Sequence, residues 1–435
     1  MKIRIKTVAI CGFLLSFLIL ACLSTNGAER FPRPDFDTGY HVPSPSQPQA
    51  PPSFLHWIDL LALAIALVLS AKFAIFDRSR KKVFILMIFS LIYFGFVKKG
   101  CICSVGSIQN LALAVFSPSY AIPFDVILLF ALPIAFALFF GRVFCSSVCP
   151  LGAIQDIVVL KPLKLPLSIR ELLGIVPYIY LGIVVLYAAT ASGFLICRGD
   201  HFVSFFRMSG AFEAILAGTI FLAAGIFIAR PYCRFFCPYG VLLSWMSVFS
   251  KWRLHITPEK CVRCGLCMNN CPFEAIRAPT AEKYPDDRKK GTRRLALLIA
   301  LFPVFMIIGI ISGYSLGPAL SGLNPVISLS RTIKEENISG TKEYSQASFA
   351  FRRTGIPLEK LYEEAGTIER RFVAGASILG VFIALAIFAK ILRLSIWRRR
   401  KYFEPDPAQC LNCARCQNFC PVHRKNLQKK EQQGK

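Results

Sequence analysis

Apolar residues in this chain gather into long runs instead of alternating stripes. Seven runs, near 54–76, 83–97, 121–141, 172–191, 211–229, 295–312 and 373–393, carry almost no charge. About 20 such residues cross a bilayer as a helix, because a helix satisfies its own backbone hydrogen bonds in hydrocarbon. The pattern therefore predicts a mainly α, polytopic membrane protein with about seven transmembrane helices in its body. The second run has only about fifteen apolar residues, which predicts snorkelling by its flanking lysines or burial inside a bundle. A further apolar stretch, 8–23, follows a basic start and reads as a signal peptide or an N-terminal anchor over 1–28.

The polar segments orient these runs. Residues 29–53 are rich in proline and read as an extended external linker. Basic clusters then fall on alternate ends of the runs: 78–82, Arg142 with Lys161, Lys164 and Arg170, Arg230 with Lys251 and Arg253, 288–294, and 398–401. Lysine and arginine favour the cytoplasmic side, so these ends are expected inside. Lys98 and Lys99 fall on the other side and are exceptions. The expected order is a membrane domain over 54–250, a cytoplasmic segment over 251–294, and a membrane hairpin over 295–393. An external loop, 313–372, lies within that hairpin. A cytoplasmic segment with a basic tail follows over 394–435. Composition agrees: of 435 residues 54% are hydrophobic and 17% charged, with mean hydropathy +0.53. The net charge of +26 reflects these flanking clusters and gives no reason to expect a nucleic-acid partner.

Seventeen cysteines are a heavy load for such a chain, and eight lie in two matching runs. Cys261, Cys264, Cys267 and Cys271 are spaced C-x₂-C-x₂-C-x₃-C and precede Pro272. Cys410, Cys413, Cys416 and Cys420 repeat the spacing before Pro421. This is the bacterial iron–sulfur run, in which three close thiolates hold one [4Fe–4S] cube and the fourth ligates the other cube. The spacing thus predicts one cluster on Cys261, Cys264, Cys267 and Cys420, and a second on Cys410, Cys413, Cys416 and Cys271. The ferredoxin-like module would be split in sequence, its halves meeting on the cytoplasmic face. Zinc and disulfides are the competing readings; the expected reducing compartment weighs against disulfides.

Four more cysteines form a second repeat. Arg142-Val-Phe-Cys145-Ser-Ser-Val-Cys149-Pro150-Leu-Gly152 matches Arg230-Pro-Tyr-Cys233-Arg-Phe-Phe-Cys237-Pro238-Tyr-Gly240. Each copy reads Arg-x-aromatic-Cys-x₃-Cys-Pro-x-Gly at the expected cytoplasmic end of an apolar run, which indicates repeated membrane hairpins. Proline suits the first turn of a helix and keeps the residue before it out of one. Cys149 and Cys237 should therefore sit where one helix stops and the next begins, with the four thiols converging about a pseudo-twofold axis. Such a quartet could hold a third iron–sulfur centre, act as redox-active dithiols, or be reduced thiols packed against the ferredoxin half. Cys101, Cys103 and Cys197 fall at the expected outer ends, where a disulfide is allowed. Cys22 is a candidate lipid site.

Other cofactors find no support. Five histidines, none in mid-run, and no Cys-x-x-Cys-His argue against haem. Ser339-Gly340-Thr341 falls short of a flavin-attachment pattern and argues against covalent FMN.

The two Cys-x₃-Cys-Pro hairpin ends together with the two four-cysteine runs resemble the membrane polyferredoxins of the NapH/NosR type. The resemblance covers roughly 83–275 and 400–425. It implies a multi-pass protein of the bacterial cytoplasmic (inner) membrane that relays electrons among the quinone pool, a cytoplasmic donor and a respiratory or exported reductase. Its implied redox partners are a flavoprotein, a cytochrome or the reductase itself. On that reading the chain is an electron-transfer component and no catalytic residue is assigned. Two departures stand out: the external flavin domain of the NosR branch is absent, and a membrane hairpin separates the two four-cysteine runs. The rivals are a quinol-oxidising subunit with its own quinone site, for which Asp125, Tyr178 and Tyr180 are candidates, and an iron–sulfur redox sensor.

Overall fold

The computed structural model describes residues 53–100, 103–118, 120–160, 162–199, 201–209, 212–256, 261–280, 288–340, 344–396 and 398–423. The expected signal or anchor segment, nearly all of the linker, Cys22, Cys101 and the basic tail lie outside the described residues. The architecture below belongs to the compact unit His56–Lys435.

Among the described residues, four helices are long and apolar enough to cross a membrane: Phe54–Phe76, Leu167–Ala189, Lys289–Ser321 and Leu358–Ser395. His201–Arg207 and Phe212–Phe227 make a fifth if they count together as one bent span. The chain is thus a helical membrane protein. The run 121–141 folds as Phe124–Phe140, 17 residues with Pro133 inside. The run 83–97 folds as Arg80–Ser90, which starts on three basic residues, followed by a π-helical stretch Leu91–Val97. Both are shorter than the ~20 residues a bilayer core requires. The segment 98–120 contains the apolar helix Ser107–Phe116, with Ser107, Ile108 and Gln109 buried in its first turn.

The last two long helices pack through glycine. A methyl group at Gly309 would lie 2.6 Å from the Gly380 carbonyl oxygen, and one at Gly317 would lie 2.8 Å from Val373 Cα. Between helices in lipid, close backbone approach of this kind supplies the attraction that the hydrophobic effect cannot. The stretch joining them contains the helices Pro325–Ser339 and Gln346–Arg353. Asn324 caps Pro325–Ser339 by accepting from the Val326 and Ile327 amides at 2.9 and 3.3 Å.

The two four-cysteine segments meet through a short antiparallel pair. Ile276 stands opposite Pro405 and Arg277 opposite Glu404. Asp406 fastens the join: its amide donates to the Ala275 carbonyl at 2.7 Å, and its carboxylate pairs with Arg277 at 3.1 Å and with Arg393.

Candidate functional site

The two four-cysteine runs share one backbone. Arg263 and Gly265 in the first, and Asn412 and Ala414 at the matching places in the second, have φ of 52°, 73°, 53° and 57°. A left-handed residue other than glycine or asparagine costs about 1 kcal/mol, so Arg263 and Ala414 hold a shape their side chains do not favour. The strained turns lead into one-turn helices, Leu266–Asn269 and Arg415–Asn418, which carry the third cysteine of each run into the interior.

The thiols group across the sequence. Cys267 and Cys416 share an apolar cluster with Leu254, Ile276 and Phe403, against which Cys261 and Cys271 also pack. Cys271, Cys410 and Cys413 pack with Cys145 on Ala229, Phe273, Ala275 and Leu411. Cys271 therefore lies among the thiols of the other run, within electrostatic reach of Cys413 and Cys410, while Cys267 faces Cys261 and Cys264. Cys420 is half-buried and belongs to neither apolar cluster. Burial pushes the Cys410 thiol up to about 12 and the Cys267 thiol up to about 11, and holds Cys416 well above the ordinary range. Thiols so placed ionise only against a strong positive charge, which iron supplies, so the donor set fits the expected group. Among the described residues no three His, Cys, Asp or Glu side chains converge closely enough for a single metal ion. A cube binds each thiolate at a different iron, so its ligands stand further apart than those of zinc.

The Cys-x₃-Cys-Pro quartet also comes together. Cys149 lies within electrostatic reach of Cys233, Cys145 and Cys237. Cys145 sits in a π-helical turn, Phe144–Val148, and Pro150 and Pro238 open the helices that follow Cys149 and Cys237. The repeated arginines and glycines interlock across the pair. Arg230 of the second copy lies over Gly152 of the first, its Nη1 3.1 Å from where a methyl would stand, and donates to the Cys145 carbonyl. Arg142 of the first copy lies over Gly240 of the second, its Nη2 3.2 Å from the corresponding point, and donates to Cys145 Sγ at 3.9 Å. Each glycine thus leaves room for the other repeat's guanidinium, which explains the Gly in the motif. The quartet packs against the middle of two neighbouring helices. Arg230 Nη2 reaches Met87 Sδ (3.8 Å) midway along Arg80–Val97, and the Tyr239 hydroxyl donates to the Phe130 carbonyl (2.7 Å) midway along Phe124–Phe140.

Asp156 ties the quartet to the second four-cysteine run. It is 4% exposed and takes Arg80 at 2.6 Å, Arg415 at 2.9 Å and Arg230 at 3.2 Å. Burial opposes its ionisation, but the guanidiniums of Arg230, Arg415 and Arg80 outweigh that and hold its carboxyl well below the usual carboxylate range. Other contacts seat the same run: Arg142 donates to the Ala408 carbonyl (3.1 Å), Ser247 to the Pro407 carbonyl (2.9 Å) and Asn412 to the Phe140 carbonyl (2.7 Å). A smaller node, Glu274, receives Arg234, Arg170 and the Leu165 amide at 2.9, 3.0 and 2.6 Å.

Sequence reasoning missed Asp156, Glu274 and Asn412. The signal for Asp156 was available: a carboxylate seven residues past Cys149, in an apolar neighbourhood. The basic residues beside the cysteines are not all free surface: Arg415 is spent on Asp156. Asp125 pairs with His56 at 3.3 Å, and Tyr178 packs its ring on Trp245 and Phe382.

Comparison with known proteins adds to this geometry. Residues 122–166 and 210–257, which hold the quartet, match a family model described as a 4Fe-4S binding domain, and residues 254–277 match a second of the same description. The uncharacterized protein MJ0750 of Methanocaldococcus jannaschii is 28% identical over 194 residues, 42% of this chain and 78% of that protein. The methylamine utilization ferredoxin-type protein MauN of Methylobacillus flagellatus is 28% identical over 154 residues, 33% of this chain and 52% of MauN. The regulatory protein NosR of Stutzerimonas stutzeri is 27% identical over 169 residues, 35% of this chain and 23% of NosR. MJ0750 apart, the chain spans about half the length or less of the curated relatives it matches. No solved structure matches it.

Proposed function

Since the chain belongs to the NapH/NosR-type family of membrane iron–sulfur electron-transfer proteins, we propose that it relays electrons through three thiolate-held centres in a fixed spatial order. Cys261, Cys264, Cys267 and Cys420 hold one [4Fe–4S] cluster. Cys410, Cys413, Cys416 and Cys271 hold a second, and Cys145, Cys149, Cys233 and Cys237 a third iron–sulfur centre. The observation that carries this is the packing of Cys145 with Cys271, Cys410 and Cys413 on the same four apolar residues. It leaves no intervening domain between the quartet and the second run. Arg230 supports the same order, with Cys145 and Asp156 as partners on one side and Cys413 within electrostatic reach on the other.

Each bound cluster would supply one-electron chemistry. The protein's part is to bury the thiolates, donate hydrogen bonds to sulfur and fix the spacing. The four-cysteine module lies on the cytoplasmic side of a bacterial inner membrane. The relay connects a cytoplasmic donor or the quinone pool to a respiratory or exported reductase.

Iron and acid-labile sulfide content of the anaerobically purified chain, with EPR of the dithionite-reduced protein, tests this. Roughly ten to twelve irons per chain are expected. About eight, with two interacting signals, would leave the quartet as thiols and remove the third centre. Zinc in place of iron would remove the relay altogether.

A further inference from the structure

Cys103 and Cys197 are 94 positions apart by number and belong to none of the twelve cysteines assigned above. The structure sets both against Gly106. The Gly106 amide donates to Cys103 Sγ at 3.5 Å, and Cys197 Sγ lies 3.6 Å from where a methyl on Gly106 would stand. Gln109, fully buried, holds the second sulfur: its Nε2 donates to Cys197 Sγ at 3.6 Å while its Oε1 accepts from the Ile196 amide at 2.8 Å.

The quartet contains the same device. Gln155, also fully buried, donates from Nε2 to Cys233 Sγ at 3.4 Å and accepts at Oε1 from the Tyr232 amide at 3.0 Å. In both places the glutamine grips a cysteine sulfur and the amide of the residue just before it. In both, the glutamine lies six residues after another cysteine, with a glycine between them. The sequences agree: Cys103-Ser-Val-Gly106-Ser-Ile-Gln109 against Cys149-Pro-Leu-Gly152-Ala-Ile-Gln155, and Ile196-Cys197-Arg198 against Tyr232-Cys233-Arg234. The Gly152 amide stands to Cys149 as the Gly106 amide stands to Cys103. Spacing, glycine, glutamine and both glutamine hydrogen bonds recur together, so the Cys103–Cys197 pair repeats the Cys149–Cys233 half of the quartet.

The two half-sites are also neighbours. Cys103 and Cys149 line one small cavity together with Phe144, Leu151, Val203 and Phe206. Cys103 and the quartet thiols Cys145, Cys149 and Cys237 all lie within electrostatic reach of the buried Tyr239 hydroxyl. The Cys103 turn therefore lies beside the quartet.

We propose that Cys103 and Cys197 supply ligands to a further iron–sulfur centre beyond the quartet, held by the same glutamine-gripped half-site. Amide donors to sulfur are what a thiolate ligand needs in an apolar setting, since they spread its charge and fix its direction. A centre here would extend the one-electron relay away from the four-cysteine module. The inference rests on reading the quartet as a centre, and the test separates the two.

Iron, acid-labile sulfide and the reduced EPR spectrum are compared in the full chain, in Cys103→Ser/Cys197→Ser and in Cys149→Ser/Cys233→Ser. The expected result is that the Cys103/Cys197 variant loses roughly two to four irons and one signal, while the Cys149/Cys233 variant loses a different signal. Unchanged iron and spectrum in the first variant, with loss in the second, would overturn the further centre and leave the quartet reading standing. No loss in either would overturn both. Thiol alkylation that labels Cys103 and Cys197 only after reduction, with iron unchanged, would mark a disulfide and also overturn it. Should the double variant not accumulate, Cys197→Ser alone, at an exposed position, gives the same reading.

Discussion

The two four-cysteine runs are nearly the same in sequence and share the same left-handed turns, yet the protein treats them differently. The second run is clamped: Asn412 reaches the end of Phe124–Phe140, Arg415 reaches Asp156, and Ala414 is fully buried in its left-handed turn. The first run faces outward. Cys264 is exposed, Val262 is 64% exposed, and Arg263 lies 5.7 Å over the Tyr402 ring. Equal motifs fix equal local shape; what surrounds each decides whether a centre there passes electrons inward or meets a partner from solvent.

Breaking the clamp should have the largest effect. Asp156→Asn leaves the buried Arg230 guanidinium without its counter-charge, and removing one partner of a buried ion pair costs about 3–5 kcal/mol. Thermal unfolding of the solubilised protein should show that loss, with the second-run cluster signal broadened or missing. A loss below about 1 kcal/mol would mean the second run is held by its backbone contacts instead. The pH dependence has a definite sign. The carboxyl is depressed in the folded protein, so its contribution is present above the unfolded carboxylate value and is lost only as pH falls through the folded one. The gap between wild type and Asp156→Asn should stay constant from neutral pH to about 5 and shrink below about 4.

This clamp also marks what the sequence could carry. The ferredoxin spacing and the paired Cys-x₃-Cys-Pro motifs are local, because a few adjacent residues define each. The exchange of Cys271 into the other run's cluster follows from a rule about spacing; in the structure Cys271 packs on the apolar clusters of both runs. The reciprocal seating of Arg142 over Gly240 and Arg230 over Gly152 is a contact between repeats, and neither copy read alone announces it. The burial of the motif arginines is hidden from the sequence in the same way. Hydropathy places helix ends by charge, but Arg142 and Arg230 are buried, 8% and 1% exposed, and spend their charge on Asp156, on Cys145 and on backbone carbonyls. The helix Ser107–Phe116 was not legible because its polar first turn is buried, with Ser107 bonded to the Cys103 carbonyl and Gln109 to Cys197.

A smaller change should sharpen the contrast between the runs. Gly141 has φ 70°, and a methyl there would lie 2.7 Å from Asn412 Nδ2. Gly141→Ala should cost about 1–3 kcal/mol and should shift the second-run cluster signal while leaving the first-run signal alone. A shift in both would mean that the two runs move as one body.

The smallest expected effect lies at the exposed run. Arg263→Ala removes a side chain that covers only Tyr402, and a surface change of this kind should alter stability by no more than about 0.5 kcal/mol. Alanine tolerates the left-handed turn there, as Ala414 does at another such position, so the cluster itself should load normally. Any consequence should then appear in traffic with a soluble partner. If an acidic carrier meets the chain at this edge, its rate of electron exchange with the first-run cluster should fall in Arg263→Ala and lose part of its dependence on ionic strength, because rim charges act mainly on association. An unchanged rate and salt profile would move the entry point elsewhere, and the difference in exposure between the two runs would then carry no consequence for partner choice.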